Sequence, residues 1–189
     1  MIKIGILGDI GSGKSYVAQS FGYPVFNADY EVAQLYKKNK NIFNKLKKSL
    51  PKYIYMFPVE KIEICNAILA NENNLKKIIK IVHLEIRKKM RVFLRKNKHK
   101  KIVILDIPLL LENKINKKND ILVYVQSNQI DILARLKKRE NFNSKLQKKF
   151  KIVQLPISYK KKKSHFIIKN DFTKKSVKRG IKNILKEII

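Results

Sequence analysis

Ile2-Lys3-Ile4-Gly5-Ile6-Leu7-Gly8-Asp9-Ile10-Gly11-Ser12-Gly13-Lys14-Ser15 opens the chain and decides its fold. Ile2–Leu7 is a short apolar run rich in β-branched residues, which predicts a strand. Gly8 to Ser15 is a glycine-rich turn, and Tyr16–Phe21 can start a helix closed by Gly22. Tyr23–Phe26 predicts a second strand, ending at Asn27-Ala28-Asp29. Strand, turn, helix and strand in such quick succession form a βαβ opening, so a parallel sheet is expected. The turn fits G-x-x-x-x-G-K-[ST], the P-loop pattern. Gly8, Gly11 and Gly13 let successive backbone amides, including those near Ser12, curl around phosphate oxygens. The helix that follows, from Ser15 and Tyr16 onward, points its positive N-terminus at the anion. The Lys14 ammonium can reach the β- and γ-phosphates of ATP, and the Ser15 hydroxyl can hold Mg²⁺.

Outward from this opening, residues 30–98 read as helical. Pro58 can occupy the first turn of a helix running to Ala70. Leu75, Ile78, Ile79, Val82, Ile86, Met90 and Phe93 recur at spacings of three and four, which predicts one long amphipathic helix. Lys101–Ile107 is an apolar run around a single acid, the pattern of a buried parallel strand, and Ile121–Val125 is another. Ile130–Lys138 predicts a helix. Residues 142–163 are rich in lysine and hold no acid. Phe166–Ile168 predicts a last strand. Ser176–Ile188 predicts a last helix, with Val177, Ile181, Ile184, Leu185 and Ile188 on one face. The stretch 30–98 thus reads as a helical insertion between the second and third strands.

The chain has 189 residues, enough for one domain with a good core. Hydrophobic residues make up 44%, which excludes a disordered basic tail. No apolar run reaches the ~18 residues needed to cross a bilayer. Met1-Ile2-Lys3-Ile4-Gly5 reads as an immediate strand and not as a signal peptide, so a cytoplasmic location is expected. Cys65 is the single cysteine, which excludes an intramolecular disulfide. Lys+Arg number 44 against 14 Asp+Glu, a formal net charge of +30. Such charge suggests a nucleic-acid partner. However, arginine is confined to Arg87, Arg91, Arg95, Arg135, Arg139 and Arg179, and every other basic residue is lysine. Arginine is the better residue for bidentate phosphate and base contacts. The excess of Lys, Ile and Asn fits AT-rich coding, so no specific nucleic-acid partner is expected.

In open α/β sheets the site lies beyond the C-terminal ends of the strands. Asp29 follows the second strand and Asp106 lies near the end of the third. A carboxylate there can accept a proton from an attacking hydroxyl or hold a Mg²⁺ water; the alternative for Asp29 is a helix N-cap. Arg135 and Arg139 stand four apart on a predicted helix, where they share a face and can clamp a transferring phosphoryl group.

Further features narrow the reading. They are Ala28-Asp29, then Ile68-Leu69-Ala70-Asn71 with His83 downstream, then Asp106-Ile107-Pro108-Leu109-Leu110-Leu111-Glu112-Asn113. Arg135, Arg139, Gln154, Lys160 and Ile167-Ile168-Lys169-Asn170 follow in order. The pattern resembles dephospho-coenzyme A kinase from end to end, and D-x-P-L-L-x-E is its most specific part. The resemblance implies an α/β P-loop NTPase fold like that of the nucleoside-monophosphate kinases. It would have a five-stranded parallel sheet, a helical acceptor-binding insertion and a helical lid. The core would be 1–28, 101–126 and 165–189, the insertion 29–100 and the lid 127–164.

The implied reaction transfers the γ-phosphate of ATP to the ribose 3′-hydroxyl of dephospho-coenzyme A. Asp29 would be the base, Lys14, Arg135 and Arg139 catalytic cations, and Asn170 a nucleotide contact. His83, Arg87, Asp106, Pro108, Leu109, Gln154 and Lys160 would bind the acceptor. A monomer or weak homo-oligomer is expected.

Several positions depart from the pattern. Asn27 replaces the first Asp of D-A-D, and Asp9 replaces a usual Gly beside the phosphates. Leu7 replaces Thr, Leu84 replaces the Pro after His83, and Asn170 lacks the usual Gly close behind it. Two other readings stay open. One is a P-loop kinase for another small acceptor, such as a nucleoside monophosphate. The other is a basic RNA-associated P-loop protein.

Overall fold

The computed structural model describes residues 1–138 and 142–189, which fall into two compact units. One comprises Met1–Asn27, Lys96–Phe142 and Gln154–Ile189; the other comprises Ala28–Arg95 and Asn143–Val153.

The first unit is built on five parallel strands: β1 (Ile2–Gly8), β2 (Val25–Asn27), β3 (Ile102–Asp106), β4 (Ile121–Gln126) and β5 (Phe166–Lys169). Their order in the sheet is β2-β3-β1-β4-β5. From β1 the chain crosses to β2 on one side, and from β4 it crosses to β5 on the other. Neighbouring strands that send the chain in opposite directions open a crevice at their C-terminal ends, which is where ligands bind in such sheets. The central strands are buried on both faces, and β3 is buried at every position. This is why they read as unbroken apolar runs and not as alternation. Helices α1 (Lys14–Ser20) and α9 (Lys174–Ile188) supply Val17, Ala18, Val177, Ile181 and Ile184 to the same core as Ile4, Ile6, Ile104, Val123 and Ile168. Helices α6 (Gln129–Lys137) and α8 (Ile157–Lys163) complete the unit. Gly5 in β1 leaves room for the loop after β3: a Cβ there would stand 2.5 Å from Leu110 Cδ2 and 3.0 Å from Leu122 Cδ2, so a larger residue would displace those side chains.

The second unit is helical: α2 (Ala28–Lys38), α3 (Lys40–Ser49), α4 (Lys61–Ala70), α5 (Glu72–Lys96) and α7 (Ser144–Ile152). The 25-residue α5 buries Leu75, Ile78, Val82 and Ile86, the stripe its spacing predicts. Ion pairs Glu31–Lys89 and Glu72–Lys149 tie α2 and α7 to it, at 2.8 and 3.2 Å.

Three local details go beyond the expected outline. Helix α4 starts at Lys61, after Pro58, because Glu60 and Glu63 form a capping box. The buried Glu63 carboxylate also accepts from the Tyr55 amide, so the turn before the helix is held in place. The lysine-rich stretch 142–163 contains α7 and α8. Helix α7 is capped by Asn143 and buries no residue fully; Leu146 and Phe150, one turn apart, are half-buried. Asp29 lies in the first turn of α2 and is not its N-cap.

Candidate active site

The P-loop follows β1 directly. Gly11 and Gly13 hold φ of 85° and 87°, the left-handed region that disfavours a side chain. Gly13 is also the N-cap of α1, so the amides of the loop and of the first helical turn share one end. The loop is braced from three elements. Ser12 donates its amide to the Asp9 carbonyl at 3.2 Å. The Ser12 carbonyl accepts from Ser127 Oγ at 3.0 Å, after β4, and from Asn170 Nδ2 at 2.9 Å, after β5. Buried Asn170 thus holds the loop by its backbone. A Cβ on Gly13 would meet the Asn170 amide nitrogen at 2.6 Å. The Ser12 hydroxyl is buried and has no hydrogen-bond partner, an open valence inside the phosphate cradle.

Lys14 Nζ lies 2.7 Å from the Asp9 carbonyl and 3.3 Å from the Gly8 carbonyl, so the ammonium is held over the loop. The Asp9 carboxylate is turned back on the protein. Its Oδ1 accepts from the Ile10 amide at 2.7 Å, and its Oδ2 accepts from Gln129 Nε2 at 3.3 Å. The charge the sequence puts beside the phosphates therefore has its own donors. Burial, with Asp9 adding to it, pushes the Tyr124 phenol up to about 12.

Asp106 closes β3 and is buried. Asn27 and Asp106 are register partners on adjacent strands, and Asn27 Nδ2 donates to Asp106 Oδ2 at 2.8 Å. The Ser15 hydroxyl is also hydrogen-bonded to Asp106, and the Lys14 charge acts on it. Burial raises the Asp106 pKa above the usual carboxylate range, while Ser15, Lys14 and Asn27 oppose the rise. Ser15 and Asp106 offer hard oxygen donors at the loop's edge. That suits Mg²⁺, which takes one or two protein oxygens and completes its shell with phosphate and water. Among the described residues no group of three or more His, Cys, Asp or Glu could hold a metal by itself. The chemistry of these two donors therefore fits a nucleotide-bound Mg²⁺ and not an all-protein cage.

The other expected site residues divide. Tyr16 is exposed, one turn into α1. Pro108 and Leu109 are half-buried in the turn after Asp106. Asp29 is exposed two residues beyond Asn27. His83 and Arg87 lie one helical turn apart on α5. His83 Nε2 is a buried atom with no hydrogen-bond partner, and burial together with the Arg87 charge lowers the His83 pKa, favouring the neutral ring. Gln154 and Lys160 come together with each other: Lys160 Nζ donates to Gln154 Oε1 at 2.9 Å and pairs with Glu112 at 2.8 Å.

Helix α6 carries Arg135 in its last turn and ends at Lys137, with Lys138 as its cap. Arg139 lies outside the described residues. The Arg135 guanidinium stacks 4.3 Å from the centre of the Phe172 ring, in the loop after β5. Phe172 holds φ of 64°, and its amide donates to Asn170 Oδ1 at 2.9 Å. Sequence reasoning gave no role to Ser127, Gln129 or Phe172, and none to Glu112 beyond its place in the D-x-P-L-L-x-E motif. Ser127, Gln129 and Glu112 act through partners far away in the chain. Phe172 carries a faint signal, since it stands two residues after Asn170, where the glycine is absent.

A sequence profile described as dephospho-CoA kinase matches residues 2–176. The chain is 35% identical over 187 residues to the dephospho-CoA kinase of Wolbachia pipientis wMel, covering 96% of this chain and 95% of that protein. Among solved structures it is similar to TT1252 from Thermus thermophilus, with a TM-score of 0.75 at 25% identity, over 100% of this chain and 98% of that one. The dephospho-CoA kinase from Campylobacter jejuni superposes with a TM-score of 0.62 at 20% identity, covering 98% and 96% of the two chains.

Proposed function

Because this chain belongs to the dephospho-CoA kinase family, we propose a role in the reaction for each of its site residues. The activity is ATP-dependent phosphorylation of dephospho-coenzyme A, a step of coenzyme A biosynthesis. Phosphoryl transfer asks for positioning and charge neutralisation more than for covalent chemistry. The amides from Gly8 to Tyr16 hold the ATP phosphates, and Lys14 neutralises the transferring group. Ser15 and Asp106 hold Mg²⁺, which when bound neutralises charge on the phosphate oxygens. Asn170 and the stacked pair of Arg135 and Phe172 line the nucleotide side. Arg139 enters as a lid cation on the family resemblance alone.

Asp29 accepts the proton of the ribose 3′-hydroxyl as that oxygen attacks the γ-phosphorus. Its place in the first turn of α2, two residues past the Asn27 that holds Asp106, is the local support for this role. Residues 29–100 act as the acceptor-binding insertion, with His83 and Arg87 on α5, and Pro108 and Leu109 face the same substrate. The core is 1–28, 101–126 and 165–189, and 127–164 acts as the lid. The protein works as a monomer or weak homo-oligomer in the cytoplasm and has no specific nucleic-acid partner. No described helix is long and apolar enough to cross a membrane.

The nucleotide half of this reading is carried by the contact of Ser15 and Asp106 beside Lys14. The acceptor half is carried by the family match across residues 2–176. Mass spectrometry of the product tests both. With ATP and Mg²⁺, dephospho-coenzyme A gains one phosphoryl group on the 3′-oxygen. Asp29→Asn lowers kcat by about 10²- to 10⁴-fold and leaves the KM for ATP unchanged. Phosphorylation of nucleoside monophosphates in place of this acceptor, or full turnover by Asp29→Asn, overturns the corresponding assignment.

A further inference from the structure

Lysine is the commonest basic residue of this chain, and among the described residues Lys160 is the one lysine that is buried, at 2% exposure. Compositional drift toward lysine explains exposed ammonium groups. It does not explain this one, because a buried charge is unfavourable unless it is paired and hydrogen-bonded. The partner is Glu112, whose side chain is itself only 9% exposed. Glu112 Oε1 accepts from Lys160 Nζ at 2.8 Å and from the Leu155 amide at 3.0 Å. Lys160 Nζ also donates to Gln154 Oε1 at 2.9 Å. Glu112 Oε2 is buried with no partner.

Both ends of this cluster are stiff. Glu112 lies in a wound turn, where the Ile115 amide donates to the Leu110 carbonyl and the Lys114 amide to that of Leu111. Lys114 holds φ of 49°, so the turn closes like a Schellman helix end. Leu110 is fully buried against β1 at Gly5. On the other side, Lys160 lies in α8, where its amide donates to the Pro156 carbonyl and its carbonyl accepts from Ser164 Oγ at 2.8 Å. Between them run Gln154 and Leu155, the residues at which the chain re-enters the first unit after Asn143–Val153.

We propose that Glu112, Lys160 and Gln154 form a buried pin. It fixes Gln154 and Leu155, where the chain re-enters the first unit, to the loop that follows Asp106. These are positioning residues and not substrate contacts. The inference rests on the proposed kinase activity for its kinetic consequence, but the pin itself is testable without it. Fixing residues 154–160 to the loop after Asp106 holds the end of β3 in one place, so that Asp106 stays aligned for transfer and wasteful hydrolysis is limited.

The test replaces the pair by apolar side chains of similar size, Glu112→Leu with Lys160→Met, since such replacements of buried ion pairs preserve folding. Glu112→Gln serves as a second variant that keeps an acceptor for the Leu155 amide but leaves the Lys160 charge unpaired. Hydrogen exchange read at the Leu155 amide should accelerate about tenfold or more in the double variant, with the thermal midpoint close to that of the parent. The kcat with dephospho-coenzyme A should fall about tenfold, while the KM for ATP moves less than about twofold. The ADP released per coenzyme A formed should rise, and Glu112→Gln should have a lower thermal midpoint than either parent or double variant. Unchanged exchange at Leu155 overturns the pin. Faster exchange with parental kcat and parental ADP yield overturns the positioning role. A rise in the KM for dephospho-coenzyme A alone in Lys160→Met returns Lys160 to substrate contact and also overturns it. If the parent itself transfers no phosphate to dephospho-coenzyme A, the kinase reading fails, and the Leu155 exchange still decides the pin.

Discussion

Asp106 shows how one residue is tuned by what the sheet brings to it. Its strand neighbour Asn27 stands where the family pattern has an acid, and the register turns that departure into a hydrogen-bond donor. A second carboxylate at that position would have repelled the first; the amide holds it instead. Burial still raises the Asp106 pKa. A raised carboxylate binds its proton more tightly folded than unfolded. Its cost to stability is therefore present at neutral pH and is relieved as pH falls toward the folded pKa. On the proposed reading activity would run the other way, because only an ionised Asp106 would hold Mg²⁺. The acid limb of kcat/KM should lie above the ordinary carboxylate range, as a pH–rate profile would reveal. Asp106→Asn should abolish most activity, by about 10²-fold or more, while the thermal midpoint holds or rises. A drop in midpoint at pH 7 would show that the carboxylate is a structural anchor. Asp9 makes the complementary point: it needs no distant cation, because the Ile10 amide and Gln129 answer it.

Among the elements, the loop after β5 connects the nucleotide side to the rest of the sheet. Asn170 ties it to Ser12. Asp171 ties it to α9, accepting from Ser176 and Thr173, which hold its carboxyl near 2. Phe172 sits between them in a left-handed backbone that a bulky residue disfavours by about 1–2 kcal/mol. The stacked Arg135 guanidinium returns about 0.5–2 kcal/mol, so ring and backbone nearly balance. Phe172→Ala keeps the strain and loses the ring; Phe172→Gly loses both. Chemical denaturation should therefore find the glycine variant more stable than the alanine variant by roughly 1 kcal/mol. Both variants should bind ATP more weakly than the parent if the ring lines the nucleotide side. Helices α7 and α8 teach a different lesson. They fall within the helical lid that the resemblance implies, but burial marks them weakly, since α7 fully buries nothing and α8 buries only Lys160.

Across the whole molecule, the +30 charge is larger than phosphate binding requires. Lys14 is held at the P-loop and Lys160 is internal, whereas most other lysines are exposed. Such a surface attracts polyanions without reading them. Filter binding of RNA should thus fall steeply between about 50 and 200 mM salt and show no preference among sequences. Binding that survives physiological salt with a fixed preference would point to a dedicated nucleic-acid site. The sequence by itself determined the parallel α/β fold, the phosphate loop and the long α5 helix. Each is written in local signals: buried strands as continuous apolar runs, glycines where φ must be positive, a stripe at helical spacing. Only the tertiary structure decided that Asn27 serves Asp106, that Arg135 stacks on Phe172, and that Lys160 is buried against Glu112. Those pairings join residues 37 to 79 positions apart, and they depend on strand register and close packing, which no short stretch of sequence encodes.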